Sequence, residues 1–172
     1  PITPEEMADA RTNWKSLRAK MNANFGGFPH ENQARSALED TPEQREALYE
    51  ELWQRGGFKF FLDLYSDIAI SEEANASLAD FVRGKIRETV CDPKIAAKLM
   101  PDYYLGTKRQ ILDNGYYETF NRDNVTLVDL REDPIQEFTH TSVRTATGDH
   151  PLDMLVLATG FDAISGTLLR LN

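Results

Sequence analysis

The 172-residue sequence lacks several features that would assign a function class directly. It has a single cysteine, Cys91, so it can form neither an intrachain disulfide nor a multi-cysteine metal site, which suits a reducing cytoplasm. No apolar run approaches the ~18 residues of a membrane span, and no charged-then-apolar segment typical of a signal peptide opens the sequence. We therefore predict a cytoplasmic location and no membrane partner.

Positive charge is also scarce. The sequence has 19 Lys and Arg against 28 Asp and Glu, a net charge of −9 and a pI near 4.8. Non-specific nucleic-acid binding depends on neutralising phosphates, so nucleic acid is not an expected partner. His30, His140 and His150 lie far apart without the spacing of metal ligands, and no metal site is predicted.

The glycine motifs that hold phosphates are absent. The sequence has no G-x-G-x-x-G, P-loop or G-x-S-x-G, and Gly26-Gly27 and Gly56-Gly57 are expected to end helices because neither pair follows a strand. It begins at Pro1 and ends on the apolar segment 167–172, and we expect a piece of a longer polypeptide.

The first hundred residues are rich in helix-start signals. Capping residues, three of them followed directly by proline, occur at Thr3, Thr41, Ser71 and Asp92. Apolar residues at spacings of three and four from Met7 to Met21 predict one continuous amphipathic helix. The aromatic segment 58–65 predicts a short buried helix, and the helix that starts at Asp92 is expected to end near Met100-Pro101.

The pattern changes after Pro101. Segments 124–130 and 152–160 are rich in β-branched and aliphatic residues, which predicts two parallel strands. Segments 134–139 and 142–150 predict a small antiparallel excursion that turns at 147–149, and 115–121 predicts a short helix. The predicted fold class is α/β, with a helical insertion followed by the C-terminal half of a Rossmann-like domain.

Two short motifs are candidates for chemistry. Lys108 and Arg109 follow Gly106-Thr107 in a segment expected to be extended, where adjacent side chains point to opposite faces and could serve two anions. A solvated turn is the alternative. Ala158, Thr159 and Gly160 end a predicted strand, where α/β sheets bind ligands, although Gly160 could simply permit a sharp turn.

Long stretches of the sequence resemble the type I Baeyer-Villiger monooxygenases. The resemblance rests on GTKRQILDNGYYETFNRDNVTLVDLREDPI (106–135) and LDMLVLATGFDAISG (152–166), with segments 41–61, 71–93 and 96–101 resembling the helical insertion of the same enzymes. It implies an FAD enzyme in which NADPH reduces the flavin. Oxygen then forms a C4a-peroxyflavin, which converts a ketone to an ester or lactone.

The resemblance also implies a role for each candidate residue. Lys108 would read the 2′-phosphate of NADPH beside Thr107, and Arg109 would hold the nicotinamide and stabilise the anions of the reaction. Ala158-Thr159-Gly160 would form a linker between domains. Phe58 and Phe60 would approach the substrate, although an aromatic run is more often plain core.

The implied domains are a helical insertion (1–101), the C-terminal part of an NADP-binding domain (102–160) and a linker (161–172) toward an FAD domain outside the sequence. The implied partners are a ketone, O2 and the remainder of the same polypeptide. The family's dinucleotide fingerprints are missing, and Asn114 stands where relatives often have serine or threonine. The alternatives are a heteroatom-oxidising flavin monooxygenase and a stand-alone helical interaction module.

Overall fold

The structure is a computed structural model that describes residues 3–24, 26–30, 33–160 and 166–169. The chain divides into two compact units, Pro1–Thr126 and Leu127–Asn172. This division lies at neither of the domain boundaries predicted from sequence, which stay predictions.

The described part of the first unit is helical. Its elements are α1 (Pro4–Thr12), α2 (Trp14–Ala23), a 3-10 turn (Ala37–Glu39), α3 (Pro42–Arg55), α4 (Lys59–Leu62), α5 (Glu72–Thr89), α6 (Pro93–Leu99) and α7 (Tyr116–Thr119). The described part of the second unit has strands β1 (Ile135–Phe138), β2 (Ser142–Thr145) and β3 (Asp149–Pro151), and helix α8 (Gly166–Leu169). No described helix is both long enough and apolar enough to cross a bilayer.

Local capping sets the helix starts, as predicted. The hydroxyls of Thr3 and Thr41 accept the backbone N–H three residues on, and the side chains of Glu6 and Gln44 accept the threonine N–H groups in return. Ser71 caps α5, and Asp92 caps α6, which ends at Leu99 as expected.

The first predicted helix is wrong in one respect. The structure breaks it at Asn13, whose backbone leaves the helical region (φ −101°, ψ 20°) and whose side chain donates to Asp9 at 2.7 Å. The asparagine side chain can form hydrogen bonds with nearby backbone groups in place of the helical ones, and asparagine therefore favours helix ends. Neither α1 nor α2 buries a residue, and Trp14 is 51% exposed.

The core of the first unit lies between α3, α4 and α5. Its fully buried members include Tyr49, Leu52, Leu64 and Leu78. A smaller cluster of Ile86, Val90 and Ala96 joins α5 to α6, and Tyr117 and Phe120 pack against it. The short helix that contains Tyr117, α7, is thereby fixed to the far end of α5.

A buried acid holds the segment before α3. Tyr65, which is 2% exposed, donates its hydroxyl to Asp40 at 2.5 Å, and Arg35 pairs with the same carboxylate at 2.8 Å. Burial, together with the hydrogen bond to Asp40, raises the pKa of Tyr65 to about 12.

The second unit contains an antiparallel meander in the order β1-β2-β3, which confirms the predicted excursion. The carboxylate of Asp133 accepts the Thr147 hydroxyl at 2.6 Å, the Thr147 N–H at 2.9 Å and the Thr145 hydroxyl at 2.7 Å. These hydrogen bonds hold the β2–β3 turn and lower the pKa of Asp133.

The two predicted parallel strands are wrong for this structure. Segments 124–130 and 152–160 form no strand, and residues 154–157 of the second are exposed. A strand exists only when its backbone pairs with a neighbour, and within the described residues neither segment has one. The predicted linker 161–172 lies outside the described residues except for α8.

Candidate functional site

A tight turn positions the cation pair. The N–H and hydroxyl of Thr107 both donate to the carbonyl of Tyr104, at 3.2 and 2.7 Å, and Gly106 adopts φ +94° within that turn. A side chain at residue 106 would be strained by this backbone, whereas the space around it is open. The conformation of this turn therefore requires the first two residues of the GTKR motif, Gly106 and Thr107.

The residue at the centre of the turn is held from outside. Leu105 is buried, and both its N–H and its carbonyl are bonded to the side chain of Asn75 in α5, each at 2.9 Å. The base of the turn is consequently tied to the helical core.

Lys108 is packed against a ring although it is exposed. Its ammonium lies 4.2 Å from the centroid of the Tyr103 ring, which is half-buried against the core. A cation over an aromatic face is attracted by the ring quadrupole. Lys108 therefore has a defined position and a free face toward solvent.

Arg109 is the second exposed cation of the turn. Among the described residues its guanidinium makes no hydrogen bond and no ion pair. Five N–H donors on a planar group are thus available to an anion that arrives from outside this unit. The adjoining Ile111 is also exposed, at 88%.

The segment that follows is closed by α7. Asp113 accepts the N–H of Tyr116 at 2.7 Å, and Gly115 has φ +85° at the start of the helix. Asn121, after the helix, accepts the N–H of Cys91 and donates to the carbonyl of Thr89, both at 2.8 Å. The predicted helix at 115–121 is confirmed, with a shorter regular part.

The other predicted site residues lie in two further segments, one in each unit. Ala158, Thr159 and Gly160 are exposed in the second unit, and Gly160 has φ +88°, as a sharp turn requires. Phe60 is 6% exposed and contacts the Trp53 and Phe81 rings, whereas Phe58 is 55% exposed at the start of α4.

A groove of about 370 Å³ lies between α3 and α5, and none of the predicted site residues lines it. Two of its three cations, Arg45 and Lys85, have carbonyl or carboxylate partners, and the third, Arg87, donates among the described residues only to the sulfur of Met100, at 3.9 Å. Arg45 donates to the carbonyls of Ala37 and Asp40, and Lys85 pairs with Glu50 and Glu88. We assign it no ligand.

Sequence reasoning missed two residues that hold the cation pair, Asn75 and Tyr103. Tyr103 lies in a pair of tyrosines, five residues before Lys108. No regular sequence spacing predicts a contact between a ring and a cation on either side of a turn. Asparagine is disfavoured inside helices, and Asn75 in the first turn of α5 could have been noted on that ground.

The known proteins to which the chain is similar are monooxygenases. The chain is 42% identical over 176 aligned residues to a Baeyer-Villiger monooxygenase of Pseudooceanicola batsensis, and 46% identical over 135 residues to the phenazine N-monooxygenase PhzNO1 of Lysobacter antibioticus. These matches cover 99% and 77% of the chain. No family model matches.

The fold comparison agrees. The chain superposes on a crystal structure of OTEMO in complex with FAD and NADP with a TM-score of 0.94, 39% identity and coverage of the whole chain. This likeness confirms the predicted α/β fold class and the resemblance drawn from the sequence. The chain spans about a third of its relatives' length, 32% of both OTEMO and the Pseudooceanicola enzyme.

Proposed function

This chain belongs to the Baeyer-Villiger monooxygenase family, and on that premise we propose that it is part of an enzyme that uses FAD, NADPH and O2 to oxidise a ketone. The overall reaction takes ketone, O2, NADPH and a proton to ester or lactone, NADP+ and water. The residues proposed to act lie on the turn that carries Lys108 and Arg109.

The observation that carries the proposal is the availability of this cation pair. In a chain of net charge −9, two adjacent cations project from a turn that a buried asparagine and a positive-φ glycine hold in shape. Lys108 lies on an aromatic ring, and Arg109 has no partner among the described residues.

The two side chains suit different parts of NADPH. An ammonium is a compact point charge that suits the 2′-phosphate, and a planar guanidinium suits an oriented anion beside a flat ring. We assign Lys108 to the phosphate, with Thr107 beside it, and Arg109 to the nicotinamide side of the reaction. The donor set therefore fits the phosphorylated cofactor.

Bound FAD would supply the transfer of electrons from NADPH to O2, from which one oxygen atom enters the ketone and the other leaves as water. Arg109 would stabilise the negative charge that develops on the ketone oxygen, since a preorganised cation in a water-poor site costs no reorganisation during the reaction. FAD itself must be held by other parts of the enzyme, because the sequence has no dinucleotide fingerprint.

The remaining assignments follow from the same premise. Ala158-Thr159-Gly160 is proposed as the connection from the NADP-binding part (102–160) toward the FAD domain through 161–172, with 1–101 as the helical insertion. Of the two phenylalanines, Phe58 is the better substrate-side candidate because it is exposed and Phe60 is core. The cytoplasm is the proposed location.

A second candidate reaction has its own support. The relative from Lysobacter antibioticus is named as a phenazine N-monooxygenase and is 46% identical over 77% of the chain, so oxidation of a ring nitrogen is the alternative. Supplying the full-length protein with a cyclic ketone or with a phenazine, in separate reactions, distinguishes the two. An N-oxide without any ester would favour the alternative.

The test of the main proposal is Arg109→Ala in the full-length protein. We expect ester formation to fall on the order of a hundred- to a thousandfold, the usual loss for one preorganised donor. NADPH oxidation should continue, with its electrons released as hydrogen peroxide. Gas chromatography of the ester, NADPH absorbance and a peroxide assay give the three rates.

Two further variants complete that test. Arg109→Lys should restore little ester, because lysine keeps the charge and loses the planar set of donors. Arg122→Ala, at an exposed arginine beyond α7, is the matched control and should leave all three rates unchanged. Ester formation near the wild-type rate in Arg109→Ala would refute the assignment.

A further inference from the structure

A buried amide in α5 needs an explanation. Asn75 is 2% exposed, in the first turn of the helix, next to the core residues Ala74, Leu78 and Ala79. A buried polar group without hydrogen bonds costs about 1–3 kcal/mol, and an apolar side chain would fill this position without that risk. The contacts of the Asn75 amide should therefore explain why asparagine occupies this buried position.

All three hydrogen bonds of the Asn75 side chain are made to the backbone of two loops. The side-chain nitrogen donates to the carbonyls of Ile68 and Leu105, and the side-chain oxygen accepts the N–H of Leu105, all at 2.9 Å. The contact with Leu105 joins both backbone groups of one residue, as a neighbouring strand would. This fixes the position and the orientation of the peptide at residue 105.

The cation pair follows within four residues. The 104–107 turn, closed by Thr107, leaves little freedom between Leu105 and Lys108, which then contacts Tyr103. A displacement of Leu105 would therefore move Lys108 and Arg109 together.

The segment that carries the cations, residues 105–121, is bonded to α5 at its other end as well. Asn121 bonds to the carbonyl of Thr89, the last residue of α5, and to the N–H of Cys91. The segment between Leu105 and Asn121 is thus attached to both ends of α5, and the end held by Asn75 is the one nearer to the cations.

We infer that Asn75 is a positioning residue for the reaction: through Leu105 it holds Lys108 at the distance that selects NADPH and Arg109 where it stabilises the oxygenation step. The inference rests on the proposed function of the cation pair. It adds a specificity-determining residue in the helical part that touches neither cofactor nor substrate.

The experiment compares three variants of the full-length protein. Asn75→Leu removes all three hydrogen bonds, and Asn75→Ser, which is smaller and admits water, is the milder variant if the first does not fold. Tyr49→Phe is the matched control, because it removes one hydrogen bond, to Ser77 at 2.8 Å, from the same helix without touching Leu105. Urea midpoints establish how much each variant is destabilised.

The diagnostic readouts are ratios. For both Asn75 variants we expect the KM for NADPH to rise on the order of tenfold more than the KM for NADH, and the ester formed per NADPH consumed to fall, since small misplacements of a binding group have effects of this size. A purely structural role would lower the amount of active protein, which changes neither ratio. Tyr49→Phe should leave both ratios at wild-type values.

Hydrogen exchange of the 103–110 peptide separates this inference from the proposed function. If the wild-type protein oxidises no ketone and uses neither nicotinamide cofactor, the proposed function fails, while faster exchange in the Asn75 variants still supports the anchoring of Leu105. Exchange that is unchanged in those variants, or KM and coupling ratios like those of Tyr49→Phe in an active enzyme, would overturn the inference.

Discussion

Lys108 is the residue on which cofactor choice should depend. In the full-length protein, Lys108→Ala should weaken NADPH binding by about 1.5–3 kcal/mol, roughly ten- to a hundredfold, because one charge-assisted contact to a phosphate is lost. NADH lacks that phosphate, so its KM should change little. Steady-state kinetics with each cofactor measure the difference.

The matched control for this prediction is Lys94→Ala, which removes an exposed lysine from α6. It lowers the net charge by the same amount and should leave both KM values unchanged. Equal losses with NADPH and NADH in Lys108→Ala would mean that Lys108 maintains the turn and does not read the phosphate.

Tyr65 gives the first unit a dependence on alkaline pH. Burial and the hydrogen bond to Asp40 raise its pKa from 10 to about 12, so the folded state keeps a proton that the unfolded state loses above pH 10. The stabilisation is complete below pH 10 and is lost as the pH rises to 12. Urea midpoints of the wild type should fall across this range, and those of Tyr65→Phe should fall less steeply.

Tyr65→Phe is also expected to be less stable at neutral pH, since the buried Asp40 carboxylate loses the hydrogen bond from Tyr65 and keeps the ion pair with Arg35. The test therefore compares how steeply the urea midpoint of each protein falls between pH 10 and 12. The midpoint at any single pH is not part of the test. Parallel slopes for the two proteins would contradict the assigned pKa.

At the scale of elements, two chemically matched caps should differ in their effect on stability. Thr41 and Thr3 both form capping boxes with proline next in sequence, but α3 buries Tyr49 and Leu52 whereas α1 buries nothing among the described residues. Thr41→Ala should lower the free energy of unfolding of the 172-residue chain by about 1 kcal/mol, the usual value of a cap.

Thr3→Ala should leave that free energy nearly unchanged, because fraying of an unpacked helix does not open the core. Urea unfolding followed by circular dichroism at 222 nm measures both variants. Equal losses would show that α1 belongs to the cooperative core.

The same elements explain which parts of the fold could be predicted. The starts at Thr41, Ser71 and Asp92 were predicted because a cap is formed by residues three apart. The strands at 124–130 and 152–160 were not, because strand formation depends on a partner that local pattern does not supply. The antiparallel strands formed because each partner follows within a short turn.

The candidate site was predictable to a similar extent. Lys108 and Arg109 were identified from the motif, but Lys108 lies at a bend and Arg109 in irregular backbone, so the expected extended segment is not confirmed. Asn75 lies 30 residues before Leu105, so no spacing in the sequence connects them. Contacts over such distances are set by packing, and residues that only hold others leave little trace in a motif.

At the scale of the whole molecule, we predict that the 172-residue chain alone binds neither FAD nor NADPH measurably. It has no glycine turn at a helix N-terminus to neutralise a pyrophosphate, so Lys108 would make a single solvated contact. Flavin fluorescence titration of the purified chain tests this, with the full-length protein as the positive control. Saturable micromolar binding would contradict it.

The length of α5 has a consequence for natural variation in this family. With α5 bound to Leu105 through Asn75 and to Asn121 through Thr89, the helix separates its two attachment residues by about 21 Å at 1.5 Å per residue. One inserted residue would turn one attachment by about 100° relative to the other. Insertions and deletions should therefore be rare within α5.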